Sequence, residues 1–311
     1  MRILLTGASG FFGGVFCREL AHEHEITGLW RSRPVRQPGV RARQLDLADG
    51  RALAALLKGE RFDAVVHAAA LSSPNQCQQE PARSRRVNVE ATTLLSELCA
   101  EANHGRGLPL AFTSTDLVFD GAGSLYAEDA PTSPVSLYGE HKVLAEQAVL
   151  SRHPEGGLVC RLPLLYGRSE PGAACFLDGF LACARRGEPL RLFKDEFRSP
   201  ANAVDVARGL VLLLERKARG IMHLGGPERL SRLDFGQRLK TALDAQGLGP
   251  CLRIEPARQA DAPMAAPRPR DVSLASSRAR ALGFAPATVA QALPGVLQPE
   301  NSPAGQAPAQ S

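Results

Sequence analysis

Tyr138 and Lys142 stand four residues apart at the head of a helical stretch that runs through Leu150. That spacing puts both side chains on one helix face, a turn apart. A phenol beside an ammonium is a proton donor whose ionised form the neighbouring charge stabilises. The pair suits protonation of the alkoxide that develops when a hydride reaches a ketone. The lysine can also hold the ribose hydroxyls of a nicotinamide. A third group must orient the carbonyl. Thr115 lies just beyond the preceding strand, residues 109–113, and can donate a hydrogen bond to the carbonyl oxygen. Ser114 is the alternative, because adjacent residues of an extended chain point in different directions.

A hydride donor needs its own binding site, and the first fourteen residues have the pattern for one. An apolar run at 3–5 is followed by Gly7, Gly10 and Gly13 and then by a helical pattern from 13 to 21. Gly7 permits a tight turn, Gly10 leaves room for phosphates, and Gly13 lets the helix pack against the strand. The spacing is G-x-x-G-x-x-G. Ser9, Phe11 and Phe12 lie between the glycines and share the expected site. A second strand, 26–30, ends in Arg31-Ser32-Arg33 where an acid would hold the ribose hydroxyls of NAD. Two arginines and a serine suit a 2′-phosphate instead, so NADP(H) is expected ahead of NAD(H). Asp46, beside Leu47, is placed to meet the adenine amine. The strand from Asp63 runs out into Ala68, Ala69 and Ala70, small enough for a cofactor to lie close. Ser72-Ser73-Pro74 continues as loop, with His67 read as a packed histidine. Asn88, Thr113 and Leu162 complete the expected dinucleotide contacts, with Tyr138 and Lys142 at the reacting end; the Asn88 amide can alternatively hold neighbouring loops or be ordinary polar surface.

These residues need a scaffold. Strands and helices alternate to about residue 165, which implies an α/β fold, a doubly wound Rossmann-type parallel sheet. One long helix is expected from 83 to 103. Beyond 165 the rhythm loosens, with helices expected at 176–186, 204–216 and 233–246, short strands at 190–193 and 220–224, and loops at 195–200 and 257–273. The expected partition is a dinucleotide-binding domain of 1–165 plus about 201–224. A smaller C-terminal substrate domain takes about 166–200 plus 225–293. A tail, 298–311, has nothing to bury and is expected to be disordered.

The bulk numbers fit a soluble enzyme: 44% hydrophobic, 22% charged, formal charge +5. No sustained basic run speaks for nucleic acid, and no apolar stretch reaches membrane-spanning length. The seven cysteines are odd in number and form no C-x-x-C, and no histidine cluster has metal-ligand spacing. Reduced thiols, no metal and a cytoplasmic protein are therefore expected.

With these motifs in view, the chain resembles an extended short-chain dehydrogenase/reductase, most closely the dTDP-4-dehydrorhamnose reductase family. The resemblance runs from the glycine loop to about residue 293. It is carried by Ala68–Ala70 with Ser72, Pro74 and Cys77, by Val87-Asn88-Val89 with Thr92, and by Ser114-Thr115-Asp116-Leu117-Val118-Phe119-Asp120-Gly121. Pro134, Tyr138, Gly139 and Lys142 form a further block, followed by Phe197–Pro200, Arg268-Pro269, Leu274 and Leu282-Gly283-Phe284. Leu117 stands where the family usually has an aromatic residue. The resemblance implies Thr115, Tyr138 and Lys142 as catalytic residues. It implies NAD(P)H-dependent reduction of a 4-keto group on a nucleotide-linked 6-deoxyhexose. Ser73, Thr115, Asp116, Val118, Phe119 and Arg198 would touch that substrate or another small carbonyl compound. A homodimer is expected. Two other readings stay open: a sugar-nucleotide epimerase or other reductase of the superfamily, and a non-catalytic NADP-binding regulatory subunit.

Overall fold

The opening apolar run forms strand β1 (Arg2–Thr6), in which Ile3, Leu4 and Leu5 are wholly buried. Burial on both faces belongs to parallel sheets covered by helices. The computed structural model describes residues 1–247, 252–262 and 264–298 and contains such a sheet. After β1 come helix α1 (Phe11–Leu20), β2 (Glu25–Trp30), β3 (Val40–Gln44), α2 (Gly50–Gly59) and β4 (Ala64–His67). Helices α3 (Pro74–Gln79) and α4 (Pro81–Arg85) lead into α5 (Ala91–Gly105) through a π-helical turn at Arg86–Glu90. Then follow β5 (Leu110–Thr115), α6 (Leu137–Arg152) and β6 (Gly157–Leu162).

The chain next leaves the sheet through β7 (Leu165–Tyr166), α7 (Phe176–Arg186), β8 (Leu190–Phe193), β9 (Phe197–Arg198) and β10 (Ala201–Asn202). It returns by α8 (Ala203–Glu215) and β11 (Gly220–His223). It leaves again for β12 (Leu230–Ser231), α9 (Arg232–Ala245), β13 (Ile254–Ala257), α10 (Ser277–Ala281) and α11 (Val289–Leu297). The seven-stranded sheet has the order β11-β6-β5-β4-β1-β2-β3, and every pairing is parallel. The order reverses beside β1, where β4 and β2 flank it. A crevice opens at the carboxyl ends of strands at such a reversal. Register keeps its rim level: Thr6 lies beside both Leu29 and His67, and Thr115 beside Leu162.

Two cores sandwich the sheet. Phe16 and Leu20 of α1 and Leu210 and Leu213 of α8 pack on one face. Leu53 of α2, Leu95 of α5 and Val149 of α6 pack on the other. A third cluster lies apart, with Tyr166, Leu177, Phe235, Leu239 and Leu293 drawn from β7, α7, α9 and α11.

Several expected elements differ. The helix expected at 83–103 is interrupted by the π turn, which turns Asn88 and Val89 inward. Ser73 ends its loop by capping α3, accepting the Gln76 amide. The loop expected at 195–200 contains β9, which pairs antiparallel with β12. The loop expected at 257–273 is tied to β9 by a parallel bridge between Phe197 and Asp271. The tail expected at 298–311 lies outside the described residues beyond Gln298. Among the described residues no helix is long and apolar enough to cross a membrane.

Candidate active site

The crevice begins at the glycine loop. Gly7 has φ +69°, and a Cβ there would lie 2.6 Å from the Ala69 amide nitrogen. The turn therefore sits directly on the small residues that follow β4. A Cβ on Gly13 would collide with the Gly7 carbonyl, so α1 starts tight against the turn. Gly10 is the N-cap of α1 and offers no side-chain cap. The first amides of α1 thus have no partner from the cap and are available to an anion, with the helix dipole behind them. This glycine cradle fits a dinucleotide pyrophosphate. The cleft has a volume of about 1060 Å³, at the top of the single-ligand range and with room for a second ligand. It runs from Arg31, Ser32 and Arg33 past β5 to Arg198, Arg232 and Arg268.

Helix α6 delivers Tyr138 and Lys142. Ser136 caps it by accepting the Gly139 amide. Gly139 lies so close to the turn after β5 that a Cβ would strike the Leu117 carbonyl. That approach brings Tyr138 and Lys142 against the end of β5. Lys142 is buried, and its Nζ donates to the Thr113 carbonyl at 2.5 Å and lies 4.0 Å from the Phe112 ring centre. Burial pulls its ammonium down to about 7, with Glu146 acting the other way. Burial pushes the Tyr138 phenol up, and hydrogen bonding with Thr115 opposes that rise.

Thr115 and Ser114 have separate employment. Thr115 Oγ1 donates to Asp116 Oδ1 at 3.1 Å and accepts the Leu117 amide at 3.2 Å. Ser114 Oγ donates to the Glu146 carboxylate. Arg161 grips that carboxylate through Nη2 at 2.9 Å and Nε at 3.1 Å. Its Nη1 approaches His223 Nε2 at 3.4 Å. Ser114 is thus held in a buried ionic network that fastens α6 to β6, and Thr115 faces the phenol. His67 is packed as expected, between the hydroxyls of Thr6 at 2.6 Å and Thr92 at 3.0 Å, and burial lowers it to about 3.

The far wall is ionic. Asp116 is buried, and burial raises its carboxyl to about 6 against the pull of Arg198. Arg198 Nε stands 3.6 Å from Asp116 Oδ2. Its Nη1 donates to the carbonyls of Phe197 at 2.7 Å and Pro269 at 3.3 Å. Glu196 takes Arg232 Nε at 2.9 Å, and Arg198 Nη2 lies 3.5 Å from it. The Arg232 guanidinium lies 5.0 Å from the Phe176 ring centre. Arg268 reaches Asn75 Oδ1 at 3.4 Å.

The expected residues Gly7, Ser9, Gly10, Phe11, Phe12, Gly13, Arg31, Ser32, Arg33, Asp46, Leu47, Ala68, Ala69, Ala70, Thr113, Thr115, Asp116, Tyr138, Lys142, Leu162 and Arg198 all line the cleft. Four others stand off its lining, for packing reasons. Ser73 caps α3. Asn88 is spent on the loop after β4, accepting the Leu71 amide at 2.9 Å and donating to the Leu71 carbonyl at 3.1 Å. Val118 and Phe119 are buried with Val272 and Leu274, and Phe119 stacks on Tyr126 at 4.2 Å. Glu196, Arg232, Phe176 and Arg268 line the cleft without having been expected there. Arg268-Pro269 was visible as a motif, whereas Arg232 meets Glu196 only through the β9–β12 pairing.

Comparison with known proteins gives a consistent result. Residues 1–301 match the family described as RmlD substrate binding domain. The chain is 31% identical to a probable dTDP-4,6-dihydroxy-2-methyloxan-3-one 4-ketoreductase of Streptomyces antibioticus, over 97% of this chain and 98% of that protein. It is 30% identical to the methionine adenosyltransferase 2 subunit beta of Xenopus laevis, over 91% of this chain and 83% of that one. The crystal structure of a hypothetical dTDP-4-dehydrorhamnose reductase from Sulfolobus tokodaii superposes with a TM-score of 0.79 at 27% identity, covering 93% of this chain and 98% of its own.

Proposed function

The chain belongs to the RmlD substrate binding domain family, within the extended short-chain dehydrogenases/reductases, and on that premise we propose that it reduces the 4-keto group of a nucleotide-linked 6-deoxyhexose, with NADP(H) preferred to NAD(H). It is an NAD(P)-dependent oxidoreductase. The observation that carries the substrate reading is the meeting of Thr115, Tyr138 and Lys142 with an arginine-lined wall in one cleft. Gly7, Gly10 and the α1 amides would hold the pyrophosphate, and Arg31, Ser32 and Arg33 the 2′-phosphate. A nicotinamide held there would supply the hydride. Tyr138 gives its phenolic proton to the oxygen that gains charge. Lys142 stabilises the phenolate left behind, and Thr115 orients the carbonyl. Arg198, Arg232 and Arg268 suit the diphosphate of a sugar nucleotide.

Residues 1–165 with about 201–224 form the cofactor half of this assignment, and about 166–200 with 225–293 the substrate half. We assign the protein to the cytoplasm as a homodimer, which sedimentation would test. The similarity to a methionine adenosyltransferase subunit favours, as a second reading, an NADP-binding regulatory subunit. Intact Thr115, Tyr138 and Lys142 favour catalysis over that reading and leave an epimerase as the nearest enzymatic alternative. A panel of nucleotide-linked 4-keto sugars and simple carbonyls, followed by NADPH absorbance, tests the proposal. Turnover of a 4-keto sugar nucleotide supports it; inertness across the panel with NADPH bound supports the regulatory reading.

A further inference from the structure

Arg33 differs from its neighbours. Arg31 and Ser32 are exposed, whereas Arg33 is half-buried at the rim of the cleft. It has no hydrogen-bond or ion-pair partner among the described residues. Its side chain lies across a turn that leads into the other lobe. A Cβ on Gly172 would stand 2.9 Å from Arg33 Nη1 and 3.3 Å from its Cδ. A guanidinium with no acid opposite it, laid on backbone and open to the cleft, is a charge held ready for an anion.

The turn is stiff. Pro171 and Gly172 are its central residues, Gly172 has φ +78°, and the Ala173 amide donates to the Glu170 carbonyl at 2.9 Å. Proline second and a positive-φ glycine third make the type II pattern. The turn is also anchored. Glu170 Oε1 accepts from Arg18 Nη1 at 2.6 Å, and the same nitrogen lies 3.4 Å from the Arg168 carbonyl. A Cβ on Gly14 would meet the Glu170 stem at 2.7 Å. Arg18 and Gly14 belong to α1, the helix whose first amides face the expected pyrophosphate. On its other side the segment is tied to α7, where Ser169 Oγ donates to Asp178 Oδ2 at 2.5 Å. The ion pair has a second effect. Glu170 is the acid beside this seat, and Arg18 occupies it, which leaves the Arg33 charge uncompensated.

We propose that the turn at 170–173, fastened to α1 by Arg18, is the seat that orients Arg33 toward the 2′-phosphate of NADP(H). Arg18 and Glu170 are then positioning residues for cofactor choice, and the segment entering the substrate lobe takes part in that choice. An exposed arginine loses rotamer freedom when it grips a phosphate, and one already laid on a rigid turn loses less. Glycine at 172 serves twice, because the turn needs its positive φ and a side chain there would displace the guanidinium.

The proposal rests on Arg33 reading the 2′-phosphate. The test is fluorescence titration with NADPH and with NADH of wild type, Arg33→Ala, the pair Arg18→Gln with Glu170→Gln, and all three together. Removing both charges of the pair at once leaves the net charge beside the cofactor unchanged. The paired variant is expected to bind NADPH roughly 10-fold more weakly and NADH within about twofold of wild type, the scale of one charge-assisted hydrogen bond. Retained NADH binding shows that α1 and its glycine cradle are intact. In the paired background Arg33→Ala is expected to cost far less NADPH affinity than it does in wild type, because both changes remove one interaction. Should the paired variant bind neither cofactor, Glu170→Gln alone decides, with the same expected fall in the NADPH-to-NADH affinity ratio. Equal losses for the two cofactors, an unchanged NADPH affinity, or the same Arg33→Ala cost in both backgrounds overturns the proposal and leaves Arg33 as the phosphate reader. An Arg33→Ala variant that binds NADPH as wild type does defeats that reading and the proposal together.

Discussion

Lys142 is a buried ammonium, and its burial gives the site a measurable signature. Its pKa falls from the ordinary 10.5 to about 7 on folding. Between those values the unfolded chain binds the extra proton, so this residue makes stability rise with pH across that window. Below about pH 7 it is charged in both states, and its burial simply costs stability. Lys142→Met is therefore expected to match or exceed wild-type Tm at pH 6 and to flatten the rise between about pH 7 and 10, by calorimetry. The same substitution is expected to cut turnover by on the order of 10²-fold or more. A residue kept at a cost to stability is being kept for another purpose. At the cofactor's other end, Arg31→Ala with Arg33→Ala is expected to weaken NADPH binding while sparing NADH, in parallel fluorescence titrations. Both groups of residues line the cleft as their spacing suggested, because each is local: a four-residue spacing on one helix, and a tripeptide ending one strand. Asn88 was legible as a helix residue whose amide could hold a neighbouring loop, and it does hold the Leu71 backbone; that contact takes it off the cleft lining, where a dinucleotide contact was expected.

Helix α6 is the element that sets the reactive geometry. Two features fix it. Gly139 allows its first turn to touch the Leu117 carbonyl, and the Glu146–Arg161 pair holds its third turn to β6. Gly139→Ala is expected to displace Tyr138, lowering kcat strongly while NADPH affinity, which the proposed function rests mainly on the glycine loop and on Arg31 and Arg33, changes less. Glu146→Ala leaves Arg161 buried without its partner and is expected to lower stability by about 3–5 kcal/mol in urea titration. The inner strands of the sheet were readable from apolar runs and glycine turns, because parallel strands buried on both faces leave a strong local pattern; the edge strand β3, largely exposed and without an apolar run, was not. The short strands β9 and β12 were not, since two-residue pairings carry no periodicity. Val118 and Phe119 were misplaced for a related reason. They follow the strand that ends in Thr115, but Val272 and Leu274, more than a hundred residues away, turn them inward.

At the scale of the whole molecule, a parallel-sheet core and a separate cluster built on Tyr166, Phe235 and Leu293 meet around one cleft. The sequence anticipated the sheet and the presence of a second lobe. It did not anticipate that Glu196, Arg232 and Arg268 would converge, because three distant segments supply them. Their arginines, on a chain of formal charge +5, predict a salt effect. KM for an anionic sugar nucleotide is expected to rise between low and physiological ionic strength, with kcat nearly unchanged, in steady-state assays. On the proposed function, this cleft reduces a carbonyl of a sugar nucleotide with Tyr138 as the acid. The most direct measurement is NADPH-dependent turnover of a nucleotide-linked 4-keto-6-deoxyhexose by wild type and Tyr138→Phe, with NADPH affinity measured on both. The expected result is wild-type turnover, a fall of roughly 10²-fold or more in the variant, and similar affinities. Unchanged turnover in Tyr138→Phe would contradict it.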